Sequence, residues 1–324
     1  MRIAVFGGEQ DPITQVQLET IARHGDEAIL IEFSALERGV PVSSMDGGHV
    51  YDGRYVGDLD GAILRYIPRA SAPYMRADEN LTLYEDWYAA YMHAVEKSSF
   101  YMSWLLELAG AGVPLVNPPH AASVHQFKPF QIEALRRAGA RVPRQLVSND
   151  PVAVRAFAAE VGEVIFKPVV GGALARLLDA EALQELELIR ASPVIFQERV
   201  PGEDIRVTMV GDRVISAVAI ETPEGTVDFR NDPSYREQGG TYREVEIPER
   251  VLDQCRRAMR ECSLEFSGID LRQSGDDWAF IELNSSPVYL EVEQKMGHPI
   301  TQALVNYVRE RAMARRSRRV RVAG

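Results

Sequence analysis

Asp270 stands near the end of the apolar run Phe266 to Leu271, and Glu282 and Asn284 lie two apart at the end of a second run that begins at Trp278. Side chains two apart on a strand share a face, so three oxygen donors can converge there. Hard donors of this kind suit Mg²⁺, which takes a few carboxylates and fills its shell with water and phosphate oxygens. Solvation at a strand end would account for one such residue more easily than for three among Ile, Leu and Phe. Lys167 interrupts Val164-Ile165-Phe166 just before Pro168 and the Gly171-Gly172 turn, where an ammonium can reach phosphates cradled by backbone N–H groups. Lys128, in His125-Gln126-Phe127-Lys128, offers a second such charge. For either lysine taken alone, a plain surface position is the ordinary alternative.

Gln197-Glu198-Arg199-Val200 ends another strand beside Pro201-Gly202, and an extended end can present backbone N–H and C=O groups to an adenine edge. Asp204 could then hold ribose hydroxyls, with Arg206 two residues on and on the same face. A planar guanidinium suits a carboxylate or an acyl phosphate held bidentately, and Arg230 in Asp228-Phe229-Arg230-Asn231 has the same capacity. A surface ion pair is as good a reading of Arg230. Arg65 and Arg69, around Tyr66, could form a carboxylate clamp, or a loop paired to Asp58 or Asp60.

These residues need a scaffold, and the apolar periodicity supplies one. Arg2 to Gly7 reads as a buried strand, Thr14 to Arg23 as the helix after it, and Ala28 to Phe33, Gly61 to Tyr66 and Val113 to Asn117 as further strands, the last preceded by a helix over Tyr84 to Ala109. Strands alternating with helices predict a doubly wound parallel sheet over residues 1 to 118. Gly7-Gly8 reads better as a tight turn than as a nucleotide loop. Asn117-Pro118-Pro119 marks a boundary, since two prolines continue neither a helix nor a central strand. Beyond it the pattern predicts a helix over His120 to Ala138, a strand over Arg144 to Val147, a helix over Pro151 to Val161, a strand over Glu163 to Pro168, a helix over Ala180 to Ile189 and an edge strand over Val194 to Val200. Antiparallel strands at Ile205 to Val210 and Val214 to Ile220 follow, hinged at Gly211-Asp212, and then a helix over Glu249 to Glu261 ahead of the two metal-side strands.

The chain has 324 residues, 46% of them hydrophobic and 26% charged, enough for two or three packed units. No apolar run approaches the roughly 20 residues that cross a bilayer, and the chain opens directly into a strand, so the expectation is a cytoplasmic protein with no membrane partner. Cys255 and Cys262 have no metal-spaced His or Cys neighbours and read as buried thiols. A formal net charge of -11 argues against nucleic acid as a partner. Arg315, Arg316, Arg318, Arg319 and Arg321 depart from that balance, and a frayed, solvated end is the simpler reading of them. Homo-oligomerisation stays open.

The ordered set Lys128, Lys167-Pro168 with Gly171-Gly172, Gln197 to Val200, Asp204-x-Arg206, Asp270 and Glu282-x-Asn284 resembles the ATP-grasp ligases, in the branch of glutathione synthetase and the ribosomal-protein glutamate ligase. The resemblance covers residues 118 to about 310 and implies an α/β and α+β architecture. Its parts would be a doubly wound N-terminal domain (1–118), a central lobe (119–195), a C-terminal lobe with the metal site (196–312) and a basic tail (313–324). It implies ATP and two Mg²⁺ ions as cofactors, with Mn²⁺ as a substitute. Lys128, Lys167, Gly171 and Gly172 would meet the phosphates, Gln197, Glu198, Arg199 and Val200 the adenine, and Asp204 the ribose. Asp270, Glu282 and Asn284 would hold the metals, and Arg206 and Arg230 would steady an acyl phosphate.

The implied reaction joins a carboxylate of an amino acid or peptide to an amine, releasing ADP and phosphate. Two features narrow it. The phosphate loop, residues 169 to 176, is short and resembles that of ligases acting on an amino-group carrier protein. Asp228 to Asp232 followed by Ile247-Pro248 resembles ligases that cyclise ribosomally made peptides, whereas Ser216 to Ile220 lacks the arginine of glutamate-adding members. A protein that binds ATP without turnover is the competing class, and a full metal set argues against it.

Overall fold

A computed structural model describes residues 1–46, 48–67, 87–170, 174–223, 226–228, 230 and 233–323. Gly171, Gly172, Arg69 and the start of the expected helix at Tyr84 lie outside them. The chain divides into two compact units, Met1–Ala122 with Thr301–Gly324, and Ser123–Ile300. Among the described residues no helix is long and apolar enough to cross a membrane.

The first unit opens as its sequence demands: strand β1 (Arg2–Phe6), a Gly7-Gly8 turn and helix α1 (Pro12–Arg23), whose N-cap Asp11 accepts from Ile13 N. Then come β2 (Glu27–Ile31), a small antiparallel meander β3 (Val42–Met45), β4 (Gly48–Tyr51) and β5 (Arg54–Tyr55), and β6 (Gly61–Leu64), α2 (Trp87–Gly110), β7 (Leu115–Val116) and α3 (Pro119–Ala122). Strands β2-β1-β6-β7 form the expected parallel sheet. Ala4, Phe6, Ile29, Ile31, Ala62 and Leu64 pack with Tyr101, Trp104 and Leu105 of α2, and Trp104 meets Phe6 edge-on at 5.5 Å.

The second unit begins with α4 (Lys128–Arg137), followed by β8 (Gln145–Ser148), α5 (Pro151–Val161), β9 (Val164–Pro168), β10 (Arg176–Leu177), α6 (Ala180–Gln184) and β11 (Val194–Glu198). Its other elements are β12 (Glu203–Val210), β13 (Arg213–Glu221), α7 (Pro233–Gln238), β14 (Thr241–Glu244), α8 (Glu249–Glu261), β15 (Phe266–Ser274), β16 (Asp277–Asn284) and α9 (Leu290–Met296). Two antiparallel sheets result, ordered β10-β9-β11-β8 and β14-β13-β12-β15-β16. In the four-stranded sheet Phe166, Phe196 and Val164 face α5. Cys255 and Cys262 are free and buried.

Several expectations change. The stretch His120 to Ala138 is not one helix: α3, a 3-10 turn at Val124–Gln126 and α4 replace it, because Pro129 has no N–H to give and fits only a helix's first turn. The strand expected at the sheet edge, β11, lies between β9 and β8. The arginine-rich end does not fray. Helix α10 (Ile300–Ala323) runs through it and, apart from its first residue, belongs to the first unit. Leu304, Val305, Val308 and Ala312 are fully buried, Arg309 pairs with Asp26 at 2.6 Å and Arg316 with Asp60 at 2.5 Å, while Arg315 donates to the carbonyls of Leu59 and Ala111. Asp58 and Asp60 are engaged by Arg2 and Arg316, and Arg65 instead pairs with Asp11 at 2.9 Å.

Gly202, in the turn between β11 and β12, has φ +119°, and a Cβ there would lie 2.1 Å from the Gln273 carbonyl oxygen. Gly202→Ala is expected to destabilise the protein by about 2–4 kcal/mol, seen as a lower Tm. An unchanged thermal melt would refute this account of the turn.

Candidate active site

Alternation, interrupted by a bulge in β16, divides the two faces of the five-stranded sheet. Ile205, Val207, Met209, Ile269, Leu271, Phe280 and Leu283 point to one side and are all but inaccessible. The intervening residues, Asp204, Arg206, Asp270, Arg272, Glu282 and Asn284, point to the other. Register brings them together: Asp270 lies opposite Arg206 on β12 and opposite Glu282 on β16, and Gly268 lies opposite Asn284. A β-bulge after Asp270 lets Glu282 and Phe280 take successive partners while keeping their faces.

Arg206 Nε is hydrogen-bonded to Asp270 Oδ1, and Asn284 Nδ2 donates to Asp270 Oδ2 at 2.8 Å. Gly268 makes this possible, since a Cβ there would come within 2.9 Å of Pro287 and 3.3 Å of the Arg206 side chain. Lys128 Nζ bonds Glu282 Oε2. Its helix α4 is fastened to β16 by Gln131, which accepts from Leu283 N at 2.9 Å, and His125 meets Ser285 Oγ at 2.8 Å just ahead of it. Lys167 enters from β9, almost buried, on the face of the four-stranded sheet that carries Ile195 and Gln197. Burial pulls its ammonium down to about 8, against the attraction of Glu282 and with the repulsion of Lys128. Burial would raise Glu282, yet Lys128 and Lys167 hold it below its ordinary value. Asp270 is raised, first by burial and then by Glu282, in spite of Arg206.

Two carboxylates directly opposite each other, with an amide oxygen beside them, form a donor set that fits Mg²⁺, and the raised Asp270 is what a divalent cation would relieve. Among the described residues no group of three or more His, Cys, Asp or Glu is placed to hold a metal, so further ligands would be water or phosphate oxygens.

Gln197 is buried, and its Nε2, like Oε1 of the facing Gln145 and Oδ2 of Asp204, has no protein partner among the described residues. Burial pushes Asp204 up to about 6 although Arg272 stands at 2.8 Å. Val200 is buried, but the Glu198 side chain accepts from Arg144 N and Arg199 pairs with Glu163 at 3.2 Å, so these two are engaged away from Gln197. Asp228 holds Arg230 with two bonds of 2.8 and 2.6 Å and accepts from Ala175 N, within the expected phosphate loop, at 3.2 Å. The sequence reading missed Arg272, Gln145 and Gln131. Arg272 was the accessible one: two residues beyond Asp270 on one strand means the same face.

The family model of the RimK-like ATP-grasp domain matches residues 126–308. The chain belongs to this family. The ATP-grasp ligase PsnB, in a structure with a phosphomimetic variant of a minimal precursor, Mg and ADP, is 32% identical and superposes with a TM-score of 0.83 over 96% of this chain and 98% of PsnB. The macrocyclase MdnC of Microcystis aeruginosa, bound to precursor peptide MdnA, shares the fold at 19% identity, with a TM-score of 0.76 over 95% of this chain and 98% of MdnC. A probable α-L-glutamate ligase of Shewanella sp. (strain MR-4) is 30% identical over 147 residues, 44% of this chain and 47% of the relative. The chain thus spans about half the length of the curated relatives it matches. In this ATP-grasp chain, as the sequence implied, the doubly wound unit accompanies two antiparallel sheets.

Because an unfolded lysine keeps its proton to about 10.4, the charge on Lys167 disfavours folding below pH about 8, and that disadvantage fades as pH rises between the two values. Acylation of Lys167 by an amine-reactive reagent, followed by peptide mass mapping, is expected to show a midpoint near pH 8, with Mg·ATP protecting it. A midpoint at the ordinary lysine value would contradict the buried, crowded setting.

Proposed function

We propose that this chain is an ATP-dependent carboxylate–amine ligase that acts on a peptide through an acyl phosphate. The observation that carries the reading is the half-buried carboxylate pair Asp270–Glu282, with Lys128 and Lys167 beside one member and Arg206 on the other. Likeness to PsnB over nearly the whole chain supports a peptide as substrate.

In this scheme Lys128 and Lys167 bind the ATP phosphates, whose negative charge restores the full ammonium on Lys167. Gln197 and Val200 border the adenine, and the unpartnered oxygen of Asp204 accepts from a ribose hydroxyl. Asp270, Glu282 and Asn284 would hold two Mg²⁺ ions, which would supply positive charge to offset that of the ATP phosphates. Arg206 and Arg230 orient the substrate carboxylate in line with the γ-phosphorus, so that its oxygen takes the phosphoryl group and ADP leaves. The same guanidiniums then face the charge that gathers on the carbonyl oxygen when an amine attacks and phosphate departs. The product is an amide, with one ADP and one phosphate released per bond and no covalent bond to the protein. A ligase that spends ATP in this way fits a cytoplasmic location.

With Mg·ATP and a pool of acidic peptides, the protein is expected to release ADP and phosphate and to produce peptides lighter by one water per bond. Glu282→Ala, which removes a metal ligand and leaves Lys128 without its partner, is expected to reduce that release by about 100-fold or more. Turnover untouched by Glu282→Ala would remove the metal assignment, and release of AMP with pyrophosphate would replace the acyl-phosphate scheme. ATP binding with no turnover across the pool would favour a silent nucleotide binder.

A further inference from the structure

Arg272 lies on the polar face of β15, two residues beyond Asp270, and its side chain is only 13% exposed. Its Nε meets Asp204 Oδ1 at 2.8 Å, Nη1 donates to the Gly202 carbonyl at 2.8 Å, and Nη2 donates to the Val227 carbonyl at 3.0 Å and, more loosely, to Thr226 O at 3.5 Å. One planar group therefore ties two stretches of chain, Gly202 to Asp204 and Thr226 to Val227, to β15. Gly202 and Asp204 belong to the turn and strand that follow the adenine-side segment. Val227 directly precedes Asp228, whose carboxylate carries Arg230 and accepts from Ala175 N.

We propose that Arg272 is a positioning residue that couples the two halves of the site, so that a nucleotide seated on Asp204 orders the segment presenting Arg230. The proposal rests on the ATP-binding reading given above. Asp204 has one buried oxygen with no protein partner among the described residues, so a hydroxyl bonding there fixes the carboxylate from its second side. A fixed carboxylate fixes the guanidinium plane, since the N–H groups of arginine keep a rigid geometry. The plane in turn fixes the Val227 carbonyl, and Asp228 with it. A lysine keeps the charge but cannot reach Asp204, Gly202 and Val227 together, which separates geometry from charge.

The test is hydrogen exchange at the amides of Thr226, Val227 and Asp228, with and without saturating Mg·AMPPNP. In the wild-type chain the nucleotide is expected to slow their exchange about tenfold, an ordinary size for coupling between sites. Arg272→Lys is expected to bind AMPPNP about tenfold more weakly and to lose that protection even at saturation. A purely structural Arg272 would lower Tm in the variant yet leave the nucleotide-induced protection in place, and that result would overturn the proposal. Should Arg272→Lys fail to fold, Asp204→Asn cuts the same linkage from its other end and must also abolish the protection. Protection retained in Asp204→Asn at saturation overturns the coupling as well. Failure of the wild-type chain to bind AMPPNP removes the nucleotide reading itself, whereas binding without any change at these amides removes only the coupling.

Discussion

Two like charges brought face to face in a place with little water set the terms for the second unit. Asp270 and Glu282 oppose each other across β15 and β16, where their like charges repel. Cations from three other elements offset it: Lys128 from the start of α4, Lys167 from β9 and Arg206 from β12. Each cation depends on a precise seat for its element, which is why Gln131 ties α4 to β16 and why Gly268 and Pro287 shape the space beside Arg206. Without the pair, most of these side chains would be buried charges with nothing to balance them.

The free protein keeps the signature of groups held for a ligand. Lys167 and Asp204 both sit where burial disfavours their charge, and Gln145 and Gln197 carry buried polar atoms with no protein partner among the described residues. A chain selected for stability alone would replace such groups with apolar ones. They lie along one face of the four-stranded sheet and one face of the five-stranded sheet, in keeping with the proposed nucleotide site.

What could be read from the sequence was what depends on local periodicity. Alternation placed Glu282 and Asn284 on one face, and Pro151 to Val161 and Glu249 to Glu261 were delimited to the residue. What could not be read depends on which distant partner a segment chooses. Nothing within Val194 to Val200 distinguishes a central strand from an edge, because the strands on either side lie 25 residues or more away in the chain. The sequence offers Asp58 and Asp60 as partners for Arg65, and the fold supplies Asp11 instead, whose carboxylate already stands at the start of α1. Arg272 lacked the oddity of an acid among aliphatics and so drew no notice, although the alternation that found Glu282 applied to it equally.

Helix α10 gives the chain a particular order of assembly. Its buried Leu304, Val305 and Val308 and its pairs to Asp26 and Asp60 complete a core whose other members were made some 180 residues earlier, from Met1 to Ala122. At the usual pace of synthesis, about 5–20 residues per second, the first unit waits roughly 10–40 seconds with that surface uncovered while the intervening unit emerges. The second unit, continuous from Ser123 to Ile300, has no such wait. Of the two units, the one begun earlier is therefore the later to close.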